Sequence, residues 1–270
     1  MLEEISFRTI TVDDIEIADS IAASAFGPSR SRASEIRRAF AQRPNHWVLA
    51  AFQDEAAGVL GVTNYGPFAY LGMMTVRRKL QRRGIGRALL LNVLEWTEQE
   101  GIPFLRLDAT EAGFPLYVES GFEACDHALL YRLSRSPQVA GFPERARLLG
   151  ESGLPALAEF DAPIFGADRA RLFRELFRDF PGRAFAAYDG SGGMTGFLFA
   201  QPGRLGPWAA ESPEDAETLL QAALTLPFDG PPLAIAPGMN VAAVNLLERF
   251  GFRLELENRH YFFEALTILE

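Results

Sequence analysis

Residues Arg77-Arg78-Lys79-Leu80-Gln81-Arg82-Arg83-Gly84-Ile85-Gly86-Arg87 gather six cations around two glycines, in a chain whose formal net charge is -9. Lys79 is the only lysine in the sequence. Glycines spaced two apart let the backbone approach a ligand closely and turn its N–H groups outward. A helix starting at this point adds unsatisfied amides and the positive end of its dipole. Together these features make a cradle for an anion, most naturally a diphosphate. A glycine pair alone is only a turn; the combination with the cations carries the reading.

The cradle needs a strand to deliver it and a helix to receive it. Upstream, Tyr70-Leu71-Gly72-Met73-Met74-Thr75-Val76 reads as an apolar strand, within a predicted span of 68–76. Downstream, Leu89, Leu90, Val93 and Leu94 give the spacing of a buried helix face running to about Glu100, and Gly101 is a natural stop. Earlier, a short strand over Ile5–Ile10 precedes a helix from Asp13 or Asp14 to Phe26, and a second helix spans Ser31 to Gln42. His46–Gln53 and Val59–Tyr65 read as a hairpin around Asp54-Glu55-Ala56-Ala57-Gly58. After the cradle helix come a strand at Pro103–Ala109, a helix around Leu116–Ser120 and final strands over Phe122–Leu133.

Composition sets the outer limits. With 270 residues, 48% of them hydrophobic, the chain can bury one large core or two of about 135 residues each. No apolar run approaches the ~20 residues of a membrane span. The acidic opening, Met1-Leu2-Glu3-Glu4-Ile5, lacks the layout of a signal peptide. A single cysteine, Cys125, excludes an internal disulfide framework and suits a reducing compartment, so a cytoplasmic location is expected. Three scattered histidines and one cysteine do not make a zinc site, and no metal is expected. The acidic balance argues against nucleic acid as a partner. Cys125 has no activating neighbour in sequence and is expected to be a small buried residue.

The order of elements, with the cradle, resembles the GNAT superfamily of acyl-CoA-dependent N-acyltransferases. Gln81-Arg82-Arg83-Gly84-Ile85-Gly86 is similar to that family's Gln/Arg-x-x-Gly-x-Gly/Ala motif. Gly72-Met73-Met74-Thr75-Val76 resembles its pantetheine-binding strand, and Leu116-Tyr117-Val118-Glu119-Ser120-Gly121-Phe122 its Leu-Tyr-x-x-x-Gly-Phe segment. The resemblance implies acetyl-CoA as co-substrate, held by Met74, Thr75 and Val76 and by Gln81, Arg82, Arg83, Gly84, Ile85, Gly86 and Arg87. A strand N–H near Met74 or Thr75 would polarise the thioester carbonyl. Tyr117 matches the position of the acid that protonates the leaving thiolate; packing with a satisfied hydroxyl is its other reading. The family's carboxylate base is missing, because Met73 and Met74 occupy the strand. Asp108, Glu111 and His46 are candidates, and the base stays unassigned.

Beyond Ser134 to Gly141 the pattern repeats. Ala184–Tyr188 and Thr195–Phe199 form a hairpin that matches Val48–Phe52 and Val59–Val62, with Gly61 and Gly196 in like places. Val244–Phe252 parallels Phe114–Phe122 and puts Leu247 where Tyr117 stands. In place of the cradle stands Glu211-Ser212-Pro213-Glu214-Asp215-Ala216, a good helix start whose carboxylates repel a diphosphate. Glu159–Leu172 contains an Asp, Phe-Gly-Ala-Asp-Arg arrangement that resembles the C-terminal domain of tandem acyltransferases of the YitH type. Asp161 and Asp168 then either hold a cationic amine or serve a helix end and a helix start.

The expected fold is α/β (α+β), two tandem GNAT-like domains, each a central mixed sheet flanked by helices. Residues 1–135 form the acyl-CoA domain, 136–141 a linker, and 142–270 a degenerate copy that completes the acceptor pocket. The expected activity is transfer of an acetyl group from acetyl-CoA to an amine of a small molecule or peptide. Two alternatives stand beside it: a non-catalytic acyl-CoA-binding or regulatory protein, and a chain whose second domain is the catalytic one.

Overall fold

The computed structural model describes residues 5–27, 31–42, 45–135 and 141–264. The chain divides into two compact units, Met1–Cys125 with His260–Glu270, and Asp126–Arg259. Sequence order suggests a cut near 135, whereas the units exchange strand ends. The strands responsible are β6 (Glu123–Leu133) and β12 (Phe252–Glu264), 11 and 13 residues long. Both exceed the usual ~5–6 residues of a strand, so each has length to serve both units. Apart from Gly141, the expected linker lies outside the described residues.

In the first unit the strands run in the order β1 (Ile5–Thr9), β2 (Asn45–Phe52), β3 (Glu55–Asn64), β4 (Ala69–Val76), β5 (Phe104–Ala109), then the end of β12. The β2–β3 connection is tighter than the expected loop, because Gln53 and Asp54 both take positive φ, 49° and 65°. That is the backbone of a two-residue hairpin turn. Helices α1 (Ile15–Phe26) and α2 (Ala33–Ala41) cover one sheet face, where Ile15, Ile21, Ile36, Trp47, Val59 and Met73 are buried together. Helices α3 (Ile85–Gln99) and α4 (Phe114–Glu119) cover the other, over Leu60, Leu71, Leu89, Val93, Leu107 and Tyr117. Ile85, Leu89 and Val93 are buried at four-residue spacing, which gives α3 its apolar stripe.

The second unit repeats this plan. Its helices are α5 (Leu154–Phe165), α6 (Ala170–Asp179), α7 (Pro213–Leu224) and α8 (Val241–Arg249). From β6 the sheet continues through β11 (Leu233–Pro237), β10 (Arg204–Ala210), β9 (Met194–Gln201), β8 (Ala184–Tyr188) and β7 (Ala146–Leu148). Each unit contains a parallel pair, β4 with β5 and β10 with β11, and in each β4 and β10 also run antiparallel to a neighbour, β3 and β9.

The structure corrects one expected equivalence. The counterpart of Gly196 is Gly58, not Gly61. A Cβ on Gly58 would meet Leu89 Cδ1 at 2.9 Å and the Thr75 carbonyl at 3.1 Å; one on Gly196 would meet Leu219 Cδ1 at 2.9 Å and the Ala209 carbonyl at 3.0 Å. Gly58 thus lets α3, and Gly196 lets α7, lie close on its sheet. Gly61 faces the opposite side, where a Cβ would lie 2.5 Å from the Trp47 ring.

Candidate functional site

Pairing between β4 and β5 covers only Ala69–Leu71 against Leu105–Leu107, and beyond that rung the two strands part. Gly72 is the extra residue of a bulge, since Val62 opposes Leu71 while Gly61 opposes Met73. The Arg77 amide donates to the Ala57 carbonyl, which fixes the alternation of the antiparallel ladder with β3. By that alternation Met73 and Thr75 spend their backbone groups on β3, and Met74 and Val76 turn theirs into the fork. The amide that could polarise a carbonyl is therefore Met74's rather than Thr75's. The Val76 carbonyl accepts from Gln81 Nε2 at 3.1 Å, tying the strand end to the loop that follows.

That loop delivers the cradle. Arg78–Leu80 makes a short 3-10 turn, and Arg82 and Gly84 both have positive φ, 64° and 82°. A non-glycine residue in the left-handed region costs about 1 kcal/mol, a strain that clusters at ligand-binding loops. Helix α3 begins at Ile85 with no side-chain cap and no acidic residue in its first turn. Its first intrahelical bond runs from the Ala88 amide to the Gly84 carbonyl at 2.9 Å. The amides of Ile85, Gly86 and Arg87 precede that bond and lack helical acceptors. Lys79 pairs with Glu55 at 2.7 Å and Arg87 with Glu119 at 2.9 Å. Arg78, Arg82 and Arg83 have no acidic partner among the described residues. Gly86 needs no special backbone: a Cβ there would meet Met74 Cε and Leu116 Cδ2 at an ordinary 3.6 Å.

Tyr117 lies on the α3/α4 side of the fork, 6% exposed, with its hydroxyl 3.5 Å from Met74 Sδ. Its ring meets Phe122 edge-on. Burial raises the phenol's pKa above its ordinary value, so Tyr117 keeps its proton throughout the neutral range. Cradle, open strand edge and tyrosine thus converge on one fork of the first unit.

The remaining candidates separate. His46 stacks on Trp96 and meets Asn92 Oδ1 at 2.9 Å, so it serves the packing of β2 on α3; burial lowers its pKa. Glu111 is exposed in the turn after β5. Asp108 is at the fork, and its two oxygens meet the Tyr70 hydroxyl and His260 Nδ1, each at 2.7 Å. His260 stands in β12. It lies 152 positions from Asp108, and no local pattern joins them.

Asp161 and Asp168 both make contacts within the second unit. Asp161 is fully buried within α5, not at its end, and takes two hydrogen bonds from Arg169, at 2.8 and 2.6 Å. Arg169 in turn lies 3.9 Å over the Phe165 ring. This carboxylate is already neutralised and offers a ligand nothing. Asp168 accepts from the Ala170 amide at 2.7 Å, the helix-start reading. Cys125 is exposed rather than buried, with its thiol 3.5 Å from the His260 carbonyl.

Two family models match this chain, an acetyltransferase (GNAT) domain over residues 11–130 and another over residues 157–262. The chain belongs to the GNAT acetyltransferases, with two domains in tandem. It is 27% identical over 118 residues to the uncharacterized N-acetyltransferase YitH of Bacillus subtilis (strain 168). That match covers 43% of this chain and 41% of YitH, so it spans under half of the relative's length. A candidate acetyltransferase from Pyrococcus horikoshii superposes with a TM-score of 0.86 at 26% identity, over 98% of this chain and 90% of that one. A tandem GNAT protein from the clavulanic acid biosynthesis pathway shares the fold, with a TM-score of 0.69 at 15% identity over 97% and 99% of the chains. GNAT membership implies acyl transfer from acyl-CoA to an amine. Among the described residues no helix is long and apolar enough to cross a membrane.

Proposed function

We propose that the first unit binds acetyl-CoA at the β4–β5 fork and passes its acetyl group to an amine of a small molecule or peptide. The observation that carries this reading is the convergence, within one unit, of the uncapped start of α3, the open edge of β4 and the hydroxyl of Tyr117. Acetyl-CoA supplies an activated thioester whose carbonyl carbon takes the amine nitrogen and whose sulfur leaves. The free amides at Ile85, Gly86 and Arg87, with Arg82 and Arg83, hold the diphosphate. Met74 and Val76 align the pantetheine arm along β4, which is catalysis by positioning. The Met74 amide faces the fork where negative charge develops on the carbonyl oxygen. Tyr117 Oη holds the proton for the departing sulfur. Residues 142–270 carry a degenerate copy without a donor site. An exposed cysteine in no disulfide, Cys125, suits a reducing, cytoplasmic setting.

The test is release of free CoA from acetyl-CoA with spermidine, tyramine, glucosamine and a lysine-containing peptide as acceptors. Wild type should release thiol with at least one of them. Tyr117→Phe should keep its affinity for acetyl-CoA and lose about 100-fold or more in kcat, the usual scale of a positioned acid. Tight binding of acetyl-CoA with no thiol release from any amine would instead identify an acyl-CoA-binding protein.

A further inference from the structure

On the sheet face opposite Tyr117, three polar side chains from three strands meet at the mouth of the fork. Leu107 and Ala109 of β5 point into the α3/α4 core, as do Tyr261 and Phe263 of β12. Asp108 and His260, one residue out of step with them, therefore stand on the other face. Tyr70 is placed there too, because Leu71 beside it is in the α3/α4 core. Leu71–Leu107 is the last rung before the strands part, so Tyr70 and Asp108 bridge the two arms where the gap opens. A Cβ on the exposed Gly72 would lie 3.8 Å from the Tyr70 ring, which sets the bulge against the same cluster. From Gly72 to Met74, whose amide faces the fork, is about 7 Å along the strand.

The geometry points to His260 as the group that takes the proton from the attacking amine, with Asp108 and Tyr70 as its positioning residues. This inference rests on the reading of the fork as an acetyl-transfer site, and supplies the base that reading lacks. The Asp108 carboxylate accepts from the Tyr70 hydroxyl through Oδ2, so its other oxygen is left for the ring of His260. A carboxylate only accepts, which puts the ring proton on Nδ1 and leaves the lone pair on Nε2. Nε2 has no hydrogen-bond partner among the described residues, and the side chain is 27% exposed. Of the polar groups on neighbouring strands, Arg106 lies 4.4 Å over the Phe68 ring, and the Cys125 thiol donates to the His260 carbonyl. In the balanced reaction one C–N bond forms and the C–S bond of the thioester breaks. The amine proton passes to His260 Nε2, Tyr117 Oη–H protonates the sulfur, and solvent resets both groups.

Nitrogen-15 NMR of the full chain reads the tautomer without any ligand. Only His46, His127 and His260 contribute ring signals, and His260→Gln identifies the third. Wild type should show the Nδ1-protonated form at His260, and Asp108→Asn should lose that preference. With the best amine of the panel at saturation, His260→Gln should lose about 100-fold or more in kcat while acetyl-CoA affinity stays within about twofold. Imidazole in the buffer should restore about tenfold or more of the rate to His260→Ala, a rescue that a packing role would not give. The acid limb of the wild-type kcat profile should coincide with the NMR titration of His260. If His260→Gln does not fold, Asp108→Asn stands in, with about a tenfold or greater loss and a displaced acid limb. Wild-type-like kcat and pH profile in these variants, or an Nε2-protonated ring in wild type, would overturn the assignment while leaving the acetyl-transfer reading intact. A wild type silent with every amine sinks the transfer reading, and this inference with it.

Discussion

The two units begin the helix that follows their bulged strand, α3 in the first and α7 in the second, in opposite ways. Before α3 the chain spends Arg77 to Gly84 after the end of β4, and the helix start keeps its amides free of any side-chain cap. Before α7 it spends only Glu211 and Ser212 after β10, and Ser212 accepts from the Asp215 amide at 3.1 Å. The Ser212 hydroxyl donates to Asp215 Oδ2 at 2.9 Å, and Asp215, 5% exposed, pairs with Arg145 at 3.0 Å. In α7 the helix dipole is met by its own carboxylates, Glu214 and Asp215. In α3 it is met by no acidic side chain in the first turn, and Arg78, Arg82 and Arg83 beside it have no acidic partner among the described residues. What precedes these helices is otherwise alike. The Arg77 amide bonds to Ala57 as that of Glu211 bonds to Thr195, and both β4 and β10 leave a parallel neighbour and then bulge at once, after Leu71 and after Leu205. A fork alone is therefore a property of the fold. A fork beside an open helix start is the feature of the first unit on which the proposed acetyl-CoA site rests.

The largest expected effect comes from closing α3 in the manner of α7. Gly84 has φ 82°, and any side chain there is strained although no atom lies within 4 Å of the added Cβ. Gly84→Glu adds a carboxylate where a diphosphate should sit, and like-charge contacts cost several kcal/mol. Calorimetric titration should find acetyl-CoA affinity reduced by about 100-fold or more. In the second unit, Glu214→Gln should change that affinity by less than about twofold. Equal losses in both variants would show that the two helix starts share the ligand and that the contrast drawn here is false.

How much of this contrast was legible beforehand follows from its physical range. The cradle, the helix behind it and the acidic replacement at 211–216 are contiguous in sequence and rest on local rules for glycine, charge and capping, so they could be read directly. The second domain was legible because Val244–Phe252 parallels Phe114–Phe122 closely. The exchange of strand ends between the units was not, since a long strand has no residue that marks where one core stops. The Gly58–Gly196 equivalence was hidden by Gly61, a second glycine in β3 that serves the opposite face. For Asp161 the sequence leaves an amine ligand and a helix end both open, because its partner Arg169 closes on it only once α5 and α6 are packed. The Tyr70–Asp108–His260 cluster needs three strands from distant parts of the chain, and only the sheet order reveals it.

A second pair of substitutions tests the likeness beneath the contrast. Gly58→Ala and Gly196→Ala each press a methyl group onto a leucine end and onto backbone, and overpacking of this kind costs about 1–3 kcal/mol. Gly196 should suffer more, because its Cβ would meet both the Ala209 carbonyl and Ala210 Cα, at 3.0 and 3.1 Å. Denaturant unfolding measures both losses. Only Gly58→Ala should also weaken acetyl-CoA binding, because relief of its clash must move the Thr75 carbonyl beside the residues that line the fork. Equal weakening by Gly196→Ala would mean that the second fork matters to the ligand.

The smallest effect should come from Ser212→Ala. It removes the one side-chain cap of α7, with an expected loss of about 1 kcal/mol in unfolding free energy, typical of an N-cap serine. Asp215 keeps its ion pair with Arg145, so the loss should not grow into that of an uncompensated buried charge. Acetyl-CoA affinity should not move, because uncapping α7 restores neither the glycine turn nor the cations. If Ser212→Ala instead acquires measurable acetyl-CoA binding in the Gly84→Glu background, the cap alone had closed the second site, and the shortened loop would not be what separates the two units.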